Sequence, residues 1–245
     1  INASQGVVDS ISDFEALESI TFMPKYKVET DSIESDNTID IKIPEEGVEY
    51  PIVGVLDTGV SKNQYLAPWL LDKKFYSYHE ELTDPMHGSC VSSIILYGDQ
   101  LQGNNWTGNT GCKIFDATVF PDQKQESIDE DELVENIRQA IKENNQIKIW
   151  NLSLGTAAES DINDFSDFGK ALDDIQLAND VIICKSTGNC RNFKKGHPKS
   201  RVARSGDSVR SLVVGSVAHV KNTHDIADIN HPSPFTRIGP GPANS

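Results

Sequence analysis

Short apolar runs, rich in β-branched residues, recur along the chain from residue 51 onward. They cover residues 51–56 (PIVGVL), 113–120 (KIFDATVF), 147–154 (IKIWNLSL), 181–186 (VIICKS) and 211–217 (SLVVGSV). Segments with helical spacing lie between them, at residues 87–98, 127–144 and 164–179. The runs are continuous rather than alternating, which is typical of strands buried on both faces. The alternation of strand and helix predicts an α/β fold, a three-layer sandwich whose mostly parallel central sheet is covered by helices on both faces.

Residues 1–49 have a different pattern, and we expect them to form an acidic N-terminal leader or linker. Residues 7–17 have helical spacing, whereas residues 29–40 are acidic and contain several serines. Residues 50–245 are expected to form one domain, because the regular pattern begins there. Two roles for the leader stay open, an inhibitory prosegment or a connection to an upstream domain.

Composition excludes several classes of partner. The chain has 245 residues, 24% of them charged, with a formal net charge of -15 and a pI near 4.7. Such a chain repels nucleic acid and anionic membranes, so neither partner is predicted. No apolar window is long enough to predict a membrane span, and the first residues do not form a secretory signal.

The four cysteines give a weak indication of compartment and none of a metal site. They are Cys90, Cys112, Cys184 and Cys190, and no two have the spacing of a metal-binding pair. Disulfides are possible but not indicated. This pattern favours a reducing, cytoplasmic location, which the sequence does not otherwise specify.

Polar residues follow the apolar runs at the predicted carboxyl ends of the strands, where ligands bind in open parallel sheets. Asp57 ends the first run, Ser153-Leu154-Gly155 ends the third, and Asn189 follows the fourth. His87 begins the first helix, where the helix dipole favours a neutral imidazole that serves as a general base. Taken singly, each of these residues is more often a turn, a cap or a surface group. Their order and placement make the set informative.

The segments that carry these residues read VGVLDTGV (53–60), HGSCVSSII (87–95), NLSLG (151–155) and KSTGN (185–189). Together they resemble the subtilisin-like serine proteases, the subtilases of peptidase family S8. The resemblance covers about residues 51–240 and includes PSPFTRIGPG (232–241). It implies a subtilisin-like fold and a serine endopeptidase that hydrolyses peptide bonds.

The resemblance also implies a role for each matching residue. Asp57 corresponds to the carboxylate of the Asp-His-Ser triad, and His87 to its general acid–base. Asn189 corresponds to the side-chain amide donor of the oxyanion hole. Ser153, Leu154 and Gly155 correspond to the strand that pairs with an extended polypeptide substrate and forms one wall of the primary specificity pocket.

This chain differs from the family in the nucleophile motif, which is Gly-Thr-Ser in the family. The only Gly-Thr pair here is Gly155-Thr156, and Ala157 follows it; Ser245 has neither the preceding pair nor a following helix. We therefore expect a C-terminally incomplete catalytic domain, inactive as it stands, whose missing segment packs on the core and whose absence exposes apolar surface. The alternative is a catalytically dead subtilase-fold module that binds peptides or partner proteins.

Two features suggest further properties. Residues 185–210 hold eight basic side chains and one acidic one. The resemblance implies that the stretch after Asn189 lines the far wall of the primary pocket, where a cationic wall would favour acidic side chains at or near the cleaved bond. Many subtilases bind structural calcium, and Asp99, Asn104 and Asn105 are candidate oxygen ligands. Their spacing is not diagnostic, so no metal and no cofactor is predicted.

Two other classes of protein are disfavoured. An aspartic protease has Asp-Thr-Gly within β-rich sequence, twice or once in a homodimer, whereas this chain has one copy and alternating helices. A nucleotide-binding domain of the Rossmann type needs a glycine-rich loop after the first strand, and DTGVSKNQ supplies one glycine.

Overall fold

The computed structural model describes residues 39–242 except 102, 104–110, 123, 125–126, 157, 191–200, 220, 222 and 224–226. Within these residues the strands are β1 (Ile52–Asp57), β2 (Phe75–Tyr76), β3 (Lys113–Thr118), β4 (Ile149–Leu152), β5 (Ile182–Ser186) and β6 (Leu212–Val214). The α-helices are α1 (Met86–Leu101), α2 (Glu130–Glu143) and α3 (Asp167–Asn179). Short 3-10 turns occur at Glu80–Leu82 and Arg204–Gly206.

The six described strands form one parallel sheet in the order β2-β3-β1-β4-β5-β6. This confirms the predicted α/β fold. The predicted strand at residues 147–154 is shorter in the structure, because pairing ends at Leu152. The strand predicted at residues 211–217 is also shorter and ends at Val214. Strand β2 was not predicted, since two residues are too few to form a pattern.

Helices α2 and α3 close one face of the sheet. Trp150 of β4 is fully buried there and lies edge-on to Phe115 of β3, with ring centroids 5.9 Å apart. Gly54 of β1 makes room for Trp150, because a Cβ at this glycine would lie 2.2 Å from the indole ring. The helices contribute fully or almost fully buried apolar side chains to this cluster: Leu133, Ile137, Ile141, Phe168, Leu172 and Ile175.

Helix α1 covers β1 and β3 on the opposite face. Its buried residues Val91, Leu96 and Tyr97 pack against Val55 and Ile114. The strand register places four more apolar side chains on this same face, from the other half of the sheet. They are more than a third exposed: Ile149 (39%), Ile182 (48%), Leu212 (59%) and Val214 (51%). We call these four residues the open patch.

The described part of the predicted leader, residues 39–49, lies against α1. The ammonium of Lys42 donates to Asp99 Oδ1 at 2.9 Å and to the Leu96 carbonyl at 2.9 Å, near the end of the helix. The Lys42 carbonyl accepts a hydrogen bond from the indole of Trp69 at 2.8 Å. Residues 1–38 lie outside the described residues, so the role of the leader stays a prediction.

None of the described helices has the length and hydrophobicity needed to cross a bilayer.

Candidate active site

Asp57 ends strand β1 at the carboxyl edge of the sheet. Its side chain is 2% exposed, and its Oδ1 accepts a hydrogen bond from the amide of Thr58 at 2.8 Å. The main-chain carbonyl of Asp57 accepts from Val119 at 2.9 Å. The carboxylate is therefore held in place by the strand and by the turn that follows it.

His87 lies in the first turn of α1 and points at this carboxylate. Its Nδ1 lies 2.8 Å from Oδ1 and 2.9 Å from Oδ2 of Asp57, and its side chain is 16% exposed. A carboxylate only accepts hydrogen bonds, so this contact suits a ring that carries its hydrogen on Nδ1, and in a neutral imidazole of that kind the lone pair is on Nε2. The structure thus brings Asp57 and His87 together in an arrangement that suits a general base.

Two glycines allow the helix to approach the strand so closely. A Cβ at Gly88 would lie 2.2 Å from the carbonyl oxygen of Gly59 and 3.2 Å from the Cβ of Asp57. Gly59 adopts a φ of +107°, a conformation that other residues rarely accept. Backbone conformation therefore explains the glycine of Asp57-Thr58-Gly59, and close packing explains the glycine of His87-Gly88.

A second buried carboxyl group, Asp116, lies on the same face of the sheet. It is 7% exposed, and its Oδ1 accepts a hydrogen bond from the hydroxyl of Thr118, which pairs with Asp57 across the strands. Burial raises the pKa of Asp116 to about 6; hydrogen bonds from Val60 and Thr118 and the charge of Lys74 oppose this rise, whereas the charge of Asp57 adds to it. The sequence analysis did not identify Asp116, because one charged residue inside an apolar run does not by itself indicate a functional site.

Ser153, Leu154 and Gly155 follow β4, the strand next to β1. The Ser153 hydroxyl donates to Asn151 Oδ1 at 2.9 Å, and the Leu154 side chain is buried in the core. A Cβ at Gly155 would lie 3.9 Å from the Cα of Gly188, so the segments after β4 and β5 run close together here. The segment follows Leu152, the last residue of β4, and its pairing with a substrate stays a prediction.

Asn189 follows β5, two strands away from β1 and about 10 Å across the same edge of the sheet. It is exposed, and it pairs with Thr236 through an antiparallel bridge. The guanidinium of Arg237, 6% exposed, donates from Nε to the Asn189 carbonyl at 3.0 Å and from an η-nitrogen to the Arg201 carbonyl at 3.0 Å. Residues 232–237 thus support the segment that carries Asn189, a contact across 48 positions that the sequence did not reveal.

The remaining sequence predictions are tested only in part. Asp99, a candidate calcium ligand, binds the ammonium of Lys42, and Asn104 and Asn105 lie outside the described residues. Most of the basic run, residues 191–200, is also outside them. No disulfide joins the four cysteines, all of which lie within the described residues, and burial raises the pKa of the Cys112 thiol to about 11.

A model of a known family matches this chain. The model of the subtilase family, peptidase S8, matches residues 49–244, which is most of the chain and includes every site residue described above. Comparisons with curated proteins and with solved structures give no significant match. The chain therefore belongs to the subtilase family, and its function is of the serine protease type.

Proposed function

We propose that this subtilase chain supplies the acid, the base and the oxyanion donor of a serine endopeptidase. The contact between His87 Nδ1 and both oxygens of Asp57, at 2.8 and 2.9 Å, carries the proposal. His87 Nε2 accepts the proton of the attacking serine hydroxyl, and Asp57 stabilises the imidazolium that forms. The same proton then passes to the leaving amine, so His87 acts first as base and then as acid.

Asn189 and the segment Ser153–Gly155 complete the site on the substrate side. The amide of Asn189 donates to the oxyanion of the tetrahedral intermediate, where one such donor is worth about 3–4 kcal/mol of transition-state stabilisation. Ser153, Leu154 and Gly155 pair with the main chain of an extended polypeptide. The net charge of -15 argues against nucleic acid as a partner.

The nucleophile comes from a segment outside the described residues. No hydroxyl of a serine within them hydrogen-bonds to His87, whose hydrogen bonds go to Asp57. The open patch lies on the same face as α1 and offers an apolar surface on which such a segment would pack. The 245 residues alone are then expected to bind peptides without cleaving them.

The test is peptide hydrolysis by the longest natural polypeptide that contains this chain. His87→Ala and Asp57→Asn should each lower kcat by about 10⁴-fold or more, and a serine-directed sulfonyl fluoride should abolish the activity. His79→Ala is the matched control, because this exposed histidine lies outside the site. Peptide binding without hydrolysis in that polypeptide would support the alternative function, a catalytically dead peptide-binding module.

A further inference from the structure

The segments Ser153–Gly155, after β4, and 186–189, at the end of β5, border what we call the substrate groove of the proposed function. Lys185 is a buried cation placed between these two segments. It lies near the end of β5, pairs with Leu152 of β4, and is 1% exposed. Its ammonium donates to the carbonyl of Leu154, and to the carbonyl and hydroxyl oxygens of Ser186 at 3.2 and 3.3 Å. The Ser186 hydroxyl also donates to the Leu154 carbonyl, at 3.1 Å. The ammonium therefore contacts both sides of the groove.

All three hydrogen-bond acceptors of Lys185 are uncharged. Among the described residues, no carboxylate oxygen lies within 4.0 Å of its Nζ. Asp207 acts on it only through its charge, at longer range, and its two carboxylate oxygens accept hydrogen bonds from Ser166. Burial accordingly lowers the pKa of Lys185 to about 7, and the charge of Asp207 offsets only part of this effect.

A second cation depends on the same carboxylate. Arg204 also interacts with Asp207 through its charge, and its buried Nε has no hydrogen-bond partner within the described chain. Two cations thus share one buried anion in this region. A buried charge without a counter-ion is strongly unfavourable, and a carboxylate brought by a ligand would relieve it.

We propose that Lys185 makes the groove select substrates with an acidic side chain, glutamate above all, at the residue that precedes the cleaved bond. The proposal rests on the proposed function, because Ser153–Gly155 must be the strand that binds that residue. Ser186 is partly exposed, and its hydroxyl lies 3.3 Å from the ammonium. A substrate carboxylate that displaces the hydrogen bond between Ser186 and Leu154 reaches Lys185, and glutamate extends one methylene further than aspartate.

The first experiment measures binding to the chain itself, so that no chemical step is needed. The probes are acetylated alanine tetrapeptide amides in which only the last residue changes, to Glu, Gln or Leu. At pH 6.5 we expect the Glu peptide to bind at least tenfold more tightly than the Gln peptide. This advantage should shrink as the pH rises above 7, because Lys185 must then take up a proton in order to bind the carboxylate.

Lys185→Met should remove the advantage of the Glu peptide and leave binding of the Leu peptide within about twofold. Lys148→Met is the matched control, since Lys148 is half exposed and pairs with Asp180 at the other end of the sheet. It should retain the full preference. A wild-type chain that binds Glu and Gln peptides equally, or a Lys185→Met variant that keeps the preference, would overturn the role of Lys185 and leave the groove itself intact.

A calorimetric measurement on the wild-type chain covers the case in which Lys185→Met does not fold. Binding is measured at pH 8 in buffers of different ionisation enthalpy. Close to one proton should be taken up by the protein when the Glu peptide binds, and none when the Gln peptide binds. Equal uptake for the two peptides would overturn the proposal. Failure of all three peptides to bind would overturn it together with the proposed function.

Discussion

On one face of the sheet, α2 and α3 bury the side chains of β1, β3, β4 and β5 almost completely. On the other face α1 covers β1 and β3, whereas the open patch on β4, β5 and β6 stays 39–59% exposed among the described residues. Both faces carry apolar side chains, because the apolar runs do not alternate. The sequence of the open patch is thus that of a buried surface, and the difference between the faces indicates where a further packing element belongs.

Substitution of one leucine on each face should give the largest difference between the faces in the free energy of unfolding. Leu172 on α3 is fully buried and Leu212 on β6 is 59% exposed. Leu172→Ala should lower the free energy of unfolding by about 2–5 kcal/mol, since it removes packed atoms and leaves a cavity. Leu212→Ala should change it by no more than about 0.5 kcal/mol. Urea unfolding followed by circular dichroism measures both, and equal losses would mean that the open patch is covered in solution.

The pH dependence of stability tests whether water is excluded from the face of the sheet that α1 covers, where Asp116 is buried. The native pKa of Asp116 is about 6, against an ordinary value of 3.8, so the native protein holds this proton more tightly than the unfolded chain. The free energy of unfolding should therefore fall as the pH rises from about 4 through 6, by up to about 3 kcal/mol from this group.

Asp116→Asn should remove that slope. The free energy of unfolding of the variant should therefore rise relative to that of the wild type as the pH increases. Asp164→Asn serves as the control, because Asp164 is exposed and pairs with Lys170 at the surface. Its stability should follow the wild-type slope over this range. A wild-type slope that persists in Asp116→Asn would show that another group causes it, and a wild type without the slope would show that water reaches the Asp116 carboxyl group.

Two glycines in α1 probe the fit of the helix against β1. Gly88→Ala places a methyl group 2.2 Å from the Gly59 carbonyl oxygen and should lower the free energy of unfolding by roughly 1–3 kcal/mol. Gly98→Ala, whose new methyl group would meet only Ile94 at 3.6 Å, should raise it by up to about 1 kcal/mol. The imidazole resonances of His87 should shift in the first variant and stay unchanged in the second.

The smallest change in stability is expected from charges placed on the open patch. The double variant Leu212→Lys, Val214→Lys should lower the fluorescence of a bound hydrophobic dye and change the free energy of unfolding by less than about 0.5 kcal/mol. Leu177→Lys, at an exposed position on α3, is the control and should leave dye binding unaltered. Dye binding that does not respond to the double variant would place the exposed apolar surface elsewhere.

The sequence predicted those parts of the fold and site that depend on local pattern. The apolar run before Asp57 and the helix that begins near His87 are both in place, because burial and turn chemistry act over a few residues. Ser153 and Leu154 were assigned to a strand that ends at Leu152, since pairing depends on a neighbouring strand that the apolar run itself does not specify. The burial of Asp116 and Lys185 depends on the packing of distant segments, and so does the support that Arg237 gives to Asn189.

Helix α1 links two features that are far apart in the chain. Its 16 residues form a rod about 24 Å long, with His87 near one tip and the Asp99 carboxylate, which grips Lys42, near the other. Lys42 and Asp99 therefore connect residues 39–42 to the helix that carries His87, and Arg201 and Arg237 connect residues 237–241 to the segment that carries Asn189. A fusion partner or surface tether at either end of the described chain is thus linked to one half of the site.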